Sequence, residues 1–174
     1  MNMITIRRYR ENDAISVGQL IADTYSQFNL AFATPENLNL LLGPFQYARS
    51  PEPEHRKAIA QAIRAPLVLV AVYGDEIVGV LRGGRKDTQQ RTVLQSLFVR
   101  GDHHRQGIGR ELVERFEREC YRRGPTVIRL ATTMYAVPFY LSMGYKKSTG
   151  VRNGWSFQGV DLQVQPMKKT SERA

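Results

Sequence analysis

The chain holds a single cysteine, Cys120, so no internal disulfide can form and the fold must rest on its own core. Its three histidines, His55, His103 and His104, have no cysteine partner at ligand spacing, and no metal is expected. No apolar run approaches the roughly 20 residues that cross a bilayer; the longest clean one covers only residues 67–72. The opening Met1-Asn2-Met3-Ile4-Thr5-Ile6-Arg7 lacks the apolar centre of a secretory signal, so a cytoplasmic protein without a membrane partner is expected. Repeats and low-complexity segments are missing as well. Acidic residues are the minority, 16 against 25 Lys plus Arg, for a net charge of +9. That excess favours anionic partners. The basic residues are nevertheless scattered, and none of their runs is interleaved with aromatic stacking residues, so nucleic acid is not expected as the principal ligand.

With 174 residues, 42% of them apolar, the chain suits one domain with its own core. We assign it residues 1–167 and read 168–174 as a short, basic, solvated tail. Alternation predicts a strand over 4–9, after which Asn12 or Asp13 can cap a helix through Ser16, Leu20 and Tyr25. Thr34-Pro35 reads as an N-cap with proline in the first turn of a second helix carrying Leu38, Leu41 and Leu42, ended by Gly43-Pro44. A short helix over 55–64 follows, closed by Pro66. Residues 67–73 and 77–85 make a hairpin around Gly74-Asp75-Glu76, and 91–99 a further strand. From Ile108, the residues Leu112, Phe116 and Cys120 recur every fourth position, predicting an amphipathic helix that Gly124-Pro125 terminates. A strand from Val127, a helix over 135–143 and a closing hairpin of 145–151 with 157–164 complete the chain.

The stretch Leu97-Phe98-Val99-Arg100-Gly101-Asp102-His103-His104-Arg105-Gln106-Gly107-Ile108-Gly109-Arg110 carries the chemistry. An apolar strand passes through a basic turn into two glycines that open a helix. The first N–H groups of a helix lack intrahelical acceptors and carry partial positive charge, so they offer an anion site. Gly107 and Gly109 permit close approach, and Arg105 and Arg110 add charge. A plain surface turn, with glycine for shape and arginine for solubility, would use the same residue types.

Within it, His104-Arg105-Gln106-Gly107-Ile108-Gly109 resembles the acyl-CoA-binding motif of the GNAT superfamily of N-acetyltransferases, Gln/Arg-x-x-Gly-x-Gly/Ala, with His at the first position. Downstream, Thr133-Met134-Tyr135-Ala136-Val137-Pro138-Phe139-Tyr140-Leu141-Ser142-Met143-Gly144-Tyr145 resembles the family's closing signature Asn-x-x-Ala-x-x-Phe-Tyr-x-x-x-Gly-Phe, with Thr133 for Asn and Tyr145 for Phe. The resemblance implies an α/β GNAT fold: a mixed, mostly antiparallel sheet of six to seven strands, flanked by helices and splayed into a V between the fourth and fifth strands. It implies acetyl-CoA as the cofactor. The loop His104, Arg105, Gln106, Gly107, Ile108, Gly109 and Arg110 would take the pyrophosphate, the backbone of Leu97, Phe98 and Val99 the pantetheine arm, and Thr133 and Phe139 would adjoin it. Tyr140 holds the position of the family's general acid, which protonates the departing thiolate.

The implied reaction is direct acetyl transfer to a primary amine of a small molecule or peptide; a non-catalytic acyl-CoA-binding or sensing domain is the alternative. Tyr25, Phe28, Phe32, Arg152 and Trp155 are candidate acceptor-lining residues. No Asp or Glu lies between Gln89 and Val99, where many GNAT enzymes carry a catalytic Glu. The general base therefore stays open among Asp75, Glu76, Glu36, His55 and Asp161. Homodimerisation also stays open.

Overall fold

A computed structural model describes residues 3–171. The strands among them are β1 (Ile4–Arg8), β2 (Leu67–Tyr73), β3 (Glu76–Lys86), β4 (Thr92–Val99), β5 (Val127–Thr133), β6 (Lys146–Lys147), β7 (Arg152–Ser156) and β8 (Gly159–Thr170). The α-helices are α1 (Ala14–Thr24), α2 (Pro35–Leu42), α3 (Pro53–Ile63), α4 (Ile108–Tyr121) and α5 (Val137–Ser142). The strands form one sheet in the order β1-β2-β3-β4-β5-β8-β6, with β7 also paired to β8. Every pairing is antiparallel except β4 with β5. Beyond the six to seven strands expected, the closing segment supplies the two-residue β6 and a separate β7.

Helices cover both faces. One face packs Leu112 and Phe116 of α4 and Tyr140 of α5 against Leu69 and Ile128, and the other packs Val17, Leu41 and Ile63 of α1, α2 and α3 against Val70 and Val80. That explains β2: its apolar run does not alternate because Leu67 and Leu69 enter one core while Val68 and Val70 enter the other. The predicted stripe of α4 is buried along its length, Ile108, Leu112, Val113 and Phe116 all at 2% exposure or less. Each contributes about 2 kcal/mol by leaving water. Cys120 ends the stripe, and burial pushes its thiol up to about 11, so it stays protonated as a packing residue. No helix among the described residues is long and apolar enough to cross a membrane.

Local signals act where expected, with two exceptions. Thr34 Oγ1 accepts from the Asn37 N–H at 3.4 Å, with Pro35 in the first turn. Asp13 does sit before α1, yet its carboxylate does not cap the helix. The Arg7 guanidinium grips it in two bonds of 2.8 and 2.9 Å, the Arg10 N–H adds a third, and together they hold the carboxyl below its usual range. The second exception is the end of the chain. The closing hairpin is β7 with β8, turning at Phe157, and the tail expected from Lys168 is strand as far as Thr170, paired with β5. Residues 172–174 lie outside the described ones.

A charge pair holds that final strand. Lys169 Nζ donates to both oxygens of the buried Glu117, at 3.1 and 2.9 Å, and to the Met143 carbonyl at 2.8 Å, joining β8 to α4 and to the end of α5. Removing the ammonium strands a buried carboxylate, so Lys169→Ala should lower unfolding free energy by roughly 2–4 kcal/mol in urea titration. Adding Glu117→Gln should recover part of the loss; a single variant as stable as the parent would contradict the pairing.

Candidate active site: a split sheet and the helix beside it

The site arises because β4 and β5 pair only at Thr92 with Ile128 and Val93 with Arg129 before they part. Just beyond, the β3 partners of β4 jump from Gly83–Leu94 to Arg82–Ser96, leaving Gln95 as an extra residue. Such a bulge raises the local twist and turns the strand away from its neighbour. Gly83 makes it feasible, since a Cβ there would lie 2.6 Å from the Val93 carbonyl. β5 is held meanwhile by β8 along its whole length. The facing edge of β4 is therefore open from Leu94 onward. Because backbone groups alternate in direction, and the Arg100 N–H bonds Val78 in β3, the groups of Leu97 and Val99 face the opening while those of Phe98 face Val80.

At the outer end of the opening stands the N-terminus of α4. Gly107 precedes it at φ +81°, a left-handed conformation, and a Cβ there would meet nothing within 4 Å. Arg105 is also left-handed, at φ +61°. The first N–H accepted by the helix is that of Glu111, bonded to the Gly107 carbonyl at 3.0 Å. The N–H groups of Ile108, Gly109 and Arg110 have no acceptor among the described residues. A curved loop, three free donors and a positive helix end thus fit a diphosphate.

The loop side chains are used unevenly. Arg105 and Gln106 are exposed, and Arg110 stands 3.7 Å from Glu114. Ile108 is a core residue. His104 turns inward, its Nε2 2.6 Å from the Val99 carbonyl and its ring 4.6 Å from that of Phe28. His103 is buried against Tyr73 and Arg100. Gly109 lets the Phe139 ring pack on α4, 3.3 Å from where a Cβ would stand.

Tyr140 lies on α5, 4% exposed, with edge-on contacts to Phe139 and Tyr145. Its hydroxyl has no hydrogen-bond partner among the described residues, yet it is not one of the fully enclosed hydroxyls, as those of Tyr9 and Tyr145 are. Burial raises its pKa, so the phenol keeps its proton at neutral pH. Thr133, at the end of β5, accepts a hydrogen bond from the Asn29 side chain.

On the α1–α2 face the opening widens into a cavity of about 480 Å³. Tyr25, Phe45, Gln95, Ser96, Thr133 and Trp155 contribute to its walls, with Arg82, Arg85, Arg129 and Arg152. Burial raises the Tyr25 phenol, opposed in part by the nearby Ser156 hydroxyl. A second cavity shares Thr133 and is lined by Phe28, Asn29, Phe32, Tyr135 and Asp161. The expected acceptor residues are therefore divided: Tyr25, Arg152 and Trp155 line the first cavity, Phe28 and Phe32 the second. The inward arginines of β3 and β5 are not singled out by the sequence, although each interrupts an apolar strand.

No carboxylate among the described residues lines the first cavity. Of the five open candidates for a base, Glu76 is paired with Arg100, His55 stacks on Tyr47, Asp161 borders the second cavity, and Glu36 and Asp75 lie on α2 and in the β2–β3 turn.

Residues 45–171 match the family model described as an acetyltransferase (GNAT) domain, and the chain belongs to that family. Solved structures agree on the fold. A GCN5-related N-acetyltransferase from Rhodopseudomonas palustris aligns with TM-score 0.75 at 19% identity, over 98% of each chain. The PaiA N-acetyltransferase of Thermoplasma acidophilum, solved with coenzyme A, aligns with TM-score 0.65 at 15% identity over 97% of this chain and 99% of that one. A ribosomal-protein-alanine N-acetyltransferase from Brucella melitensis gives 0.62 at 22% identity over 96% and 99%. Comparison with curated proteins gave no match.

If the α4 donors hold a diphosphate, a branched side chain at position 107 should block it and strain the turn. Gly107→Val should weaken coenzyme A binding at least tenfold by calorimetry, with the circular dichroism of the fold retained. Equal affinity would place the anion elsewhere.

Proposed function

We propose that the protein is an acetyl-CoA-dependent N-acetyltransferase that moves an acetyl group directly to a primary amine. The observation that carries this reading is the continuity of the site. The free N–H groups at α4 adjoin the open edge of β4, and that opening widens into the cavity between Gln95 and Thr133. The Ile108, Gly109 and Arg110 amides would hold the pyrophosphate, with Arg105 and Arg110 adding charge, while the backbone of Leu97 and the N–H of Val99, whose carbonyl already holds His104, would bond the pantetheine amides as a further strand would. Bound there, the cofactor supplies an acetyl thioester. Family membership and the coenzyme A seen in a relative of the same fold support this assignment.

The amine must arrive with a free electron pair, and the departing sulfur must gain a proton. Tyr140 suits the protonation of sulfur, because its hydroxyl carries a proton and lacks a partner among the described residues; burial holds the phenol above its ordinary value, and the same dry surroundings disfavour a free thiolate and so favour its protonation. To free the amine's electron pair the cavity offers no carboxylate. It offers positive charge instead, which disfavours an ammonium and so favours the neutral amine. The same lack of a carboxylate is what a domain that only binds acyl-CoA would show, so turnover decides between the two.

Calorimetric titration with acetyl-CoA, followed by thiol release in the presence of amines, tests the proposal. Binding with amine-dependent release is the expected result; binding with no release from any amine would favour the sensing domain. Tyr140→Phe should lower kcat by about 10²-fold or more while the dissociation constant for coenzyme A changes less than twofold. Undiminished turnover would remove Tyr140 from the role.

A further inference from the structure

The first cavity is built as a cationic chamber whose charges are largely unanswered. Four arginines reach it and no described Asp or Glu does. Elsewhere some guanidinium groups are closely paired, as in Arg7 with Asp13, Arg8 with Glu119 and Arg49 with Asp23, while others, such as Arg56 and Arg118, face solvent without an ion pair among the described residues. Within the chamber only Arg129 has a carboxylate partner among the described residues, Asp87 at 2.6 Å, and Asp87 is shared with Arg91 at 2.8 Å. Arg82 spends its donors on the carbonyls of Ile63 and Ala62, at 2.9 and 2.6 Å, and on Ser96. Those bonds anchor the end of α3 but leave a charge whose burial is itself unfavourable. Arg85 on β3 and Arg152 on β7 are exposed, reach the cavity from its solvent-facing rim, and have no ion-pair partner among the described residues.

These charges are not placed for the cofactor's phosphates. The α4 donors belong to a helix packed on one face of the sheet, whereas the chamber is walled by Tyr25, Phe45 and Phe98 on the other. A polycationic amine would meet like charge from every arginine present. An amine that also carries an oxyanion would find planar donor forks free to grip it, in a volume suited to a small molecule. The same surroundings would hold its amino group neutral, which the missing base makes necessary.

We propose that the acceptor is a small amine bearing a carboxylate or phosphate, held through that oxyanion by Arg85 and Arg152. The amine half of this inference rests on the acetyl-transfer reading; the oxyanion half can be tested without it. Initial rates with acetyl-CoA should be compared for matched pairs: glutamate with its diamide, phosphoethanolamine with ethanolamine, and 1,4-diaminobutane as the cationic control. The expected result is a kcat/KM at least tenfold higher for the acidic member of one pair or both, and which pair responds tells carboxylate from phosphate. Arg152→Gln should shrink that ratio at least fivefold, Arg85→Gln should do so independently, and Arg152→Lys should restore part of it. Preference for the neutral or cationic amines would overturn the inference while leaving acetyl transfer intact. If nothing is acetylated, calorimetry of the coenzyme A-loaded protein decides: glutamate or phosphoethanolamine binding that weakens at least fivefold in Arg152→Gln supports the oxyanion site and counts against transfer. No such binding would overturn the site.

Discussion

The structure depends on a single interrupted ladder. Had β4 and β5 paired along their length, the sheet would be continuous and would offer neither an opening nor a free strand edge. Instead the parallel contact ends after Thr92 and Val93. The bulge at Gln95 turns β4 aside, and β8 keeps β5 in place. Unpaired backbone at the middle of a sheet is costly in a dry core, so this edge persists where solvent or a bound chain-like ligand can satisfy it. The position of α4 follows from the same split, because the strand that opens the sheet leads straight into the loop that begins the helix.

The two faces of the sheet then take separate roles. The α4–α5 face carries the unpaired first amides of α4, Phe139 and Tyr140, all supported by the tightly packed core around Phe116 and Tyr145. The α1–α3 face carries the arginine chamber, supported by the core around Leu41 and Phe45. The opening joins them, with Thr133 at its margin. On the proposed reading, direct transfer could use this arrangement, with the thioester and the amine reaching the opening from the two faces and meeting in line there.

Much of this is legible in the sequence, because the signals concerned are local. The four-residue stripe of α4, the Thr34-Pro35 cap, the β2–β3 hairpin and the glycines of the loop each impose their geometry within a few residues. The splay between the fourth and fifth strands comes through the family resemblance alone. What stays hidden depends on partners far away in the chain. Lys168 and Lys169 read as solvated tail because the buried Glu117 that receives Lys169 lies on a helix 52 positions earlier. His104 reads as part of the phosphate loop, whereas the fold gives its ring to Val99 and Phe28. Arg82 and Arg129 resemble surface charges in apolar strands, and only the fold aims both into one cavity.

The central claim is that the open edge of β4 and the first amides of α4 are one binding surface. Residue-resolved amide hydrogen exchange, with and without saturating acetyl-CoA, tests it most directly. Slowed exchange is predicted at Leu97 or Val99 together with Ile108, Gly109 and Arg110, with little change at Phe98, whose N–H already faces β3. Measurable acetyl-CoA binding that leaves the β4 edge and the α4 amides exchanging at their free rates would contradict it.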